Sequence, residues 1–425
     1  MSSPLAVARV APSALATPSR PELSPLVCRR CGARFDARPV AVCEECVGPL
    51  EPAYAPARAL PTRSQIEARP RSIWRYREWL PILGEPVVSL DTGFTPLLDS
   101  PALARALGVR RALVKNDAVS HPTQSFKDRV VAVALNAAIG LGLETVGCAS
   151  TGNLANAVAA QAARAGLAAW IFIPEDLEQA KIVGTAVYGP HLVRVRGTYD
   201  DVNRLCAQVA DRFGWGLVNL NLRSYYGEGS KTMAFEIAEQ LGWRFPDAVI
   251  APMAGGSLVT KLDKGFHELA DAGLVAGTGP RMYGAQASGC SPIVNLVERG
   301  GETVEPVIPR TIARSIAIGN PADGAFAARA IRSSGGAAAA VSDDDLVAGI
   351  RLLAETTGVF TETAGGVTVA AALRLAREGK LRSSDELVLC ITGNGLKTID
   401  AVVPALPDAP VISAKLREVA ALVDA

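Results

Sequence analysis

From about residue 71 onward the chain alternates short apolar runs with amphipathic ones, and this alternation limits its fold more than any other feature. Residues 145–149 read as a buried strand and 153–164 as a helix. A strand at 168–173 leads to a helix over 175–188 opened by Pro174. A strand at 191–195, a helix at 200–213 and a strand at 217–219 follow. Beyond a loop-rich stretch at 220–228 comes a second series: helix 229–241, strand 247–252, helix 258–270 and strand 281–286. Ser342 heads a helix over 343–357 with acidic residues in its first turn and Leu346, Ile350 and Leu353 on one face. Helix 365–377 and strand 386–392 close the pattern. Strands separated by helices run parallel with both faces covered, so the expectation is α/β: two open parallel-sheet units with a cleft between them. Ligands in such folds bind beyond the carboxyl ends of the strands.

The 425 residues are enough for two or three domains at roughly 150 residues each. An apolar share of 49% with 20% charged residues excludes a wholly disordered or fibrous chain. Forty-three Lys and Arg against forty-two Asp and Glu leave a net charge of +1, so no global field attracts nucleic acid or an anionic membrane. Asn136, Asn156, Gln161 and Arg164 break the longest apolar stretches, and no membrane span is expected. The first twenty-five residues are rich in Ala, Pro and Ser and lack the basic start and apolar core of a signal peptide. They read as a loose tail, and the protein as cytoplasmic.

Residues 28–46 read Cys-x2-Cys-x11-Cys-x2-Cys. Each pair can present two thiolates from one turn, and two turns close a tetrahedral site. Cys28, Cys31, Cys43 and Cys46 are therefore expected to hold one structural zinc, with two disulfides as the alternative that a reducing compartment disfavours. Four sulfur ligands leave no open position, so such a metal is architectural. Cys148, Cys206, Cys290 and Cys390 stand singly in mostly apolar surroundings and read as buried free thiols.

Four strand-end loops are rich in Ser, Thr, Asn and Gly. In 121–129, Lys127 enters a strongly apolar helix, where a lysine is costly unless it is paired or covalently used; pairing with Asp128 is the plain alternative. In 149–153 a strand turns directly into a helix, which either caps itself through Ser150, Thr151 or Asn153 or offers its N–H groups to an anion. In 252–257 small residues precede a helix, as an ordinary tight turn or as a phosphate cradle, without Walker or dinucleotide spacing. In 390–397 a buried strand ends in a hydroxyl and two glycines. Together these are the equipment of a pyridoxal phosphate (PLP) enzyme: a covalent lysine, an anion-binding turn, a phosphate cradle and a strand-end hydroxyl.

Over about residues 71–400 the chain resembles the threonine synthase family, of PLP fold type II. The resemblance rests on Ser125-Phe126-Lys127-Asp128-Arg129, Ser150-Thr151-Gly152-Asn153, Glu228-Gly229-Ser230-Lys231-Thr232, the loop 254–258, Thr392-Gly393-Asn394-Gly395 and the opening Asp91-Thr92-Gly93-Phe94-Thr95-Pro96-Leu97. A four-cysteine, zinc-ribbon-like head also occurs among relatives. The fold implied is two open parallel-sheet domains of the tryptophan synthase beta-like kind. The organisation is a tail at 1–26, the zinc-ribbon-like segment at 27–50, a Pro- and Ala-rich linker at 51–70, a larger PLP-binding domain from 71–114 and 221–405, a smaller α/β domain at 115–220, and a C-terminal helix or tail at 406–425.

By resemblance Lys127 holds the cofactor covalently and acts as the catalytic base. Asn153 bonds the cofactor's 3-oxygen, the backbone of Ala254, Gly255, Gly256, Ser257 and Leu258 holds its phosphate, and Thr392 faces the pyridine nitrogen. A hydroxyl there favours elimination and addition over transamination. The implied reaction is conversion of O-phospho-L-homoserine and water to L-threonine and phosphate, by a lyase that is a homodimer with a small amino-acid substrate. Ser150 and Thr151 are expected to position that substrate, and Arg223, Lys231 and Lys115 to meet its phosphate, with pairing to a surface carboxylate such as Glu228 or Asp117 as the plain alternative. The chain departs from the family in carrying Tyr226 where many members have an arginine, with Arg223 three residues earlier, and in reading Ala-Gly-Gly-Ser-Leu where their phosphate loop has asparagines. The rival activity is cysteate synthase or another β-replacement on a phosphorylated amino acid. A dehydratase fits the four-cysteine head poorly, and a nucleic-acid-binding role lacks a basic cluster.

Overall fold

The apolar runs 387–391 and 248–252 are buried along their whole length, the mark of strands covered on both faces. They form the centre of a six-stranded sheet ordered Ala338–Val341, Arg281–Ala287, Ala248–Pro252, Glu386–Ile391, Arg111–Asn116, Leu97–Asp99. All neighbours are parallel except the last pair. A four-stranded, all-parallel sheet follows the order His191–Val195, Ala168–Pro174, Thr145–Ala149, Gly216–Leu217. The structure, a computed structural model, describes residues 20–55, 59–150, 152–175, 179–197 and 199–423. No helix among them is long and apolar enough to cross a membrane.

Helices Lys127–Gly140 and Asn153–Ala165 pack together beside the four-stranded sheet, and Asp343–Thr357 and Thr363–Arg377 pair beside the larger one. The latter two approach so closely that a Cβ on Gly349 would stand 2.5 Å from the Gly366 carbonyl oxygen. Ser342 caps Asp343–Thr357 in a capping box with Asp345, as its sequence predicts. The cysteine segment folds around a three-stranded antiparallel sheet, Arg34–Phe35, Leu26–Cys28, Leu50–Pro52.

Several expectations change. Residues 1–19 of the anticipated tail lie outside the described residues, and 20–26 are not loose: Glu22–Leu23 pairs antiparallel with Ile82–Leu83, and Leu23 is buried. The linker contains the strand end 51–52 and the helix Arg63–Glu67, capped by Thr62. The loop-rich 220–228 contains a helix, Arg223–Glu228. The helix read at 175–188 is present only as Gln179–Ala186, and 176–178 lie outside the described residues. The edge strand Ala338–Val341 has no counterpart in the sequence reading, because an alanine run shows neither alternation nor strand preference. It forms through parallel pairing with residues 284–287.

Candidate active site

Strand Glu386–Ile391 delivers Thr392 to its carboxyl end, where the backbone turns against the segment that precedes helix Lys127–Gly140. Phe126 N–H donates to the Thr392 carbonyl at 2.9 Å, Asn394 N–H to Gln124 at 3.1 Å, and Ser125 bridges to Gly393. Lys127 is thereby placed at the end of a central strand. Its ammonium donates to the Tyr226 hydroxyl at 2.8 Å and sits 4.6 Å from the centre of the Phe126 ring. Asp128 does not pair with it. That carboxylate instead accepts from the Thr123 hydroxyl at 2.6 Å and from the Thr123 and Ser125 amides, and burial, partly offset by those bonds, lifts it to about 6.

Asn153 opens helix Asn153–Ala165 at the end of strand Thr145–Ala149. Its amide donates to Glu362 at 2.8 Å and accepts from Lys397 at 2.9 Å. Ser150 ends the strand at the same mouth, with its amide bonded to the Phe172 carbonyl; Thr151 lies outside the described residues. Residues 254–258 lead into helix Ser257–Asp271, whose cap position is Gly256 at φ +90°, with no side-chain cap. A Cβ on Gly256 would meet the Asp323 backbone at 2.9 Å, whereas one on Gly255 would have only Ile318 within 4.0 Å. The first N–H groups of that helix thus lack a capping side chain beside an open glycine, an arrangement suited to phosphate. A Cβ on Gly227, next to Tyr226, would stand 3.8 Å from the Ser257 hydroxyl, so the segment that carries Tyr226 passes near the start of that helix. These residues fit PLP: an amine free of ion pairing among the described residues, an uncapped glycine turn, an amide donor and a buried strand-end threonine.

The expected substrate cations require correction. Lys115 is 0% exposed, ion-paired with Glu236 at 2.6 Å and bonded to the Thr95 carbonyl at 2.6 Å. Glu236 also binds Arg129, and Arg129 binds Asp117, so two cations and two carboxylates close a buried cluster. The opening Thr-Gly-x-Thr-Pro-Leu signature serves this cluster. Phe94 N–H donates to Glu236 at 2.7 Å, and a Cβ on Gly93 would overlap Glu236 and Arg129. Lys231 is likewise 0% exposed, held by Glu228 at 2.7 Å and Glu268 at 2.9 Å. Burial raises the Glu228 carboxyl, but Lys231, Lys261 and Lys264 more than reverse this and hold it well below the usual range. Arg223 remains partly exposed, yet it pairs with Asp323 at 2.6 Å, and Asp323 donates its amide to Gly255 at 2.9 Å. Arg223 therefore braces the cradle from outside. Lys231 meets Glu228 three residues before it, within reach of a sequence reading, whereas Lys115 and Arg223 find Glu236 and Asp323 far along the chain.

The cysteine head meets the same wall. The Cys28 and Cys46 sulfurs are 3.5 Å apart, those of Cys31 and Cys43 3.7 Å, and all four lie within 4.8 Å of one another. A tetrahedron with zinc–sulfur bonds of about 2.3 Å has edges of about 3.8 Å, so the set fits a zinc ion. The head docks on helix Arg223–Glu228: Arg38 N–H donates to the Tyr225 hydroxyl at 3.1 Å, and the Ser224 hydroxyl to the Val40 carbonyl at 2.9 Å. Tyr54 donates to Glu228 at 2.6 Å, and Arg29 reaches Asp323 at 3.8 Å. The single cysteines at 148, 206, 290 and 390 are buried free thiols whose ionisation burial suppresses.

Sequence reading assigned no role to Glu362, Asp323 or Lys397. Lys397 ends a segment singled out for its glycines, and a lone cation in such a strand-end loop was the available signal.

Residues 88–393 match the family model of pyridoxal-phosphate dependent enzymes. The chain is 38% identical over 383 residues to the threonine synthase of Methanocaldococcus jannaschii, covering 89% of this chain and 94% of that protein. It is 34% identical to that of Methanosarcina acetivorans, covering 92% and 96%. Among solved structures, maize serine racemase matches at a TM-score of 0.60 and 22% identity, covering 71% of this chain and 90% of that one. Diaminopropionate ammonia lyase from Escherichia coli matches at 0.64 and 18%, covering 83% and 95%. At those identities the two structures establish the fold. The Lys127 site, the matched family model and the nearly full-length relatives agree: this chain belongs to the pyridoxal-phosphate dependent enzymes of fold type II, within the threonine synthase family.

Proposed function

We propose that the protein is a PLP-dependent lyase that converts O-phospho-L-homoserine and water to L-threonine and phosphate. The observation that carries this reading is the Lys127 amine, at a strand end, bonded to a neutral hydroxyl 2.8 Å away, in a chain whose glycine turn at 254–258 opens a helix without a capping side chain. Relatives named threonine synthase that align over 94–96% of their length support the choice of substrate. Lys127 is the covalent anchor, residues Ala254–Leu258 hold the cofactor's phosphate through backbone N–H groups, Asn153 meets its 3-oxygen, and Thr392 its ring nitrogen. When bound, the cofactor supplies an electron sink for the bond to hydrogen at the substrate's α-carbon.

With a substrate in the site, Lys127 Nζ would take the α-proton. The Tyr226 hydroxyl, within hydrogen-bond reach, holds that Nζ in place and passes protons to and from it. Removal of a β-proton expels the γ-phosphate, water adds at the β-carbon, and protons return to the α- and γ-carbons. Ser150 and Thr151, with the N–H groups opening helix Asn153–Ala165, receive the substrate carboxylate.

The cofactor body consists, in this reading, of a larger domain from 71–114 and 221–405 and a smaller one at 115–220. Cys28, Cys31, Cys43 and Cys46 hold one structural zinc, and the enzyme is a cytoplasmic homodimer that engages neither membrane nor nucleic acid. Metal analysis is expected to find one zinc per chain, lost in Cys43→Ser, and light scattering to find a dimer. Phosphate release from O-phosphohomoserine, with threonine identified as product, tests the activity. Phosphate release only from O-phosphoserine with sulfite would replace it with cysteate synthesis.

A further inference from the structure

Asn153 stands between two opposite charges. Lys397 Nζ donates to the amide oxygen at 2.9 Å, and the amide nitrogen donates to Glu362 at 2.8 Å. Lys397 also donates to the Thr123 carbonyl, in the segment that leads to Lys127. No carboxylate lies in ion-pair reach of Lys397 among the described residues; Glu362 and Asp128 act on it only through space, and against burial, which lowers its proton affinity. Glu362 is itself 3% exposed and lies against Gly393, next to Thr392. Lys397 borders a cleft of about 260 Å³ shared with Thr123, Gln124 and Asn156.

An asparagine amide has a donor end and an acceptor end of almost the same shape, so its surroundings decide which way it points. An ammonium has only hydrogens to give, and a carboxylate only lone pairs. With Lys397 on one side and Glu362 on the other, a single orientation is satisfied. We propose that Lys397 and Glu362 are positioning residues that lock the Asn153 amide with its NH2 group toward the cofactor's 3-oxygen. Glu362 occupies one of the two Nδ2 hydrogens, and the second is left for that oxygen. A flipped amide would set its carbonyl against the 3-oxygen and its NH2 against the lysine, and both contacts would be repulsive. The proposal rests on Asn153 being a cofactor contact, as in the proposed function.

A double-mutant cycle tests it, with PLP affinity measured by equilibrium dialysis and the visible absorption band of the reconstituted protein as readouts. Asn153→Ala is expected to weaken PLP binding and shift the band. Lys397→Met is expected to weaken binding about tenfold, the scale of a charge-assisted hydrogen bond, with a band shift in the same sense. In the Asn153→Ala background Lys397→Met should add less than about twofold, since the group it orients is gone. Lys397→Arg, which keeps a donor, should restore most of the affinity. Glu362→Gln frees the amide to turn and should shift the band in the direction of Lys397→Met; it carries the test should Lys397→Met fail to fold. Equal losses for Lys397→Met in both backgrounds would assign the lysine to holding the 397 loop on Thr123 and overturn the proposal. If Asn153→Ala leaves affinity and spectrum unchanged, the assignment of Asn153 fails and the proposal falls with it.

Discussion

Lys115 and Lys231 are enclosed by carboxylates, whereas Lys127 and Lys397 are bonded to neutral oxygens: the Tyr226 hydroxyl, the Thr123 carbonyl and the Asn153 amide. Both pairs look alike in sequence, each lysine sitting next to apolar or small residues. The difference is what neutralises the charge. A lysine taken fully out of water keeps its proton only against a counter-charge, and once the counter-charge is in place the pair is inert toward ligands. A lysine held by neutral acceptors retains an amine that can react or orient. The first kind builds two buried clusters, and the second kind stands in the candidate site.

Removing each kind should therefore fail differently. Lys127→Ala is expected to lower turnover by on the order of 10⁴-fold or more and to abolish borohydride fixation of the cofactor, with the folded state intact. Full turnover in that variant would break the comparison at its centre. Lys115→Met and Lys231→Met each take one counter-charge out of a buried cluster, leaving Glu236 to Arg129 alone and Glu228 to Lys261 and Lys264, and should cost up to about 3 kcal/mol in urea unfolding. If either variant is instead stable and shows a raised KM for the phosphorylated substrate, that lysine belongs to the cleft after all.

Acid should act on the buried clusters in the same direction. Burial raises the Glu236 carboxyl, but Arg129 and Lys115 bring it down to about 2, and Lys261 and Lys264 do the same for Glu51. Their folded-state values lie below the unfolded value, so the stability they contribute is complete above about pH 4.5 and is lost as the pH falls toward 2. Asp128, raised to about 6, has the opposite sign: its contribution is complete below about pH 4 and is lost as the pH rises through 6. Thermal unfolding from pH 6 down to 3 should show a falling midpoint in the wild type, and a shallower fall in Glu236→Gln.

Smaller effects probe the cleft itself. Tyr226→Phe should keep the cofactor and lower kcat about 10²-fold with an altered pH profile, the range of a lost proton relay. An unchanged profile would leave Tyr226 as packing only. Arg223→Met removes a partly exposed ion pair, so it should change stability by less than about 1 kcal/mol and PLP affinity only slightly. A large rise in KM there would return Arg223 to the substrate.

Much of the fold was legible because parallel strands buried on both faces leave continuous apolar runs, as at 248–252 and 387–391. The Ala338–Val341 strand and the Arg223–Glu228 helix were not, because an alanine run and a Tyr- and Gly-containing turn of six residues carry no periodic signal. In the candidate site, Lys127 and the glycine turn stood out, since each breaks a local rule: a lysine entering an apolar helix, and two glycines where a helix begins.

What the sequence determined by itself was therefore local: which strongly patterned segments are strands or helices, where glycine is required, and which four cysteines lie close enough to share a metal. Tertiary structure alone decided which distant charges cancel. Lys115 meets Glu236 across 121 positions and Lys397 meets Asn153 across 244, and no spacing rule reaches that far. Coulomb interactions depend on distance and burial after folding, and both are set by how the sheets and helices pack rather than by neighbours along the chain.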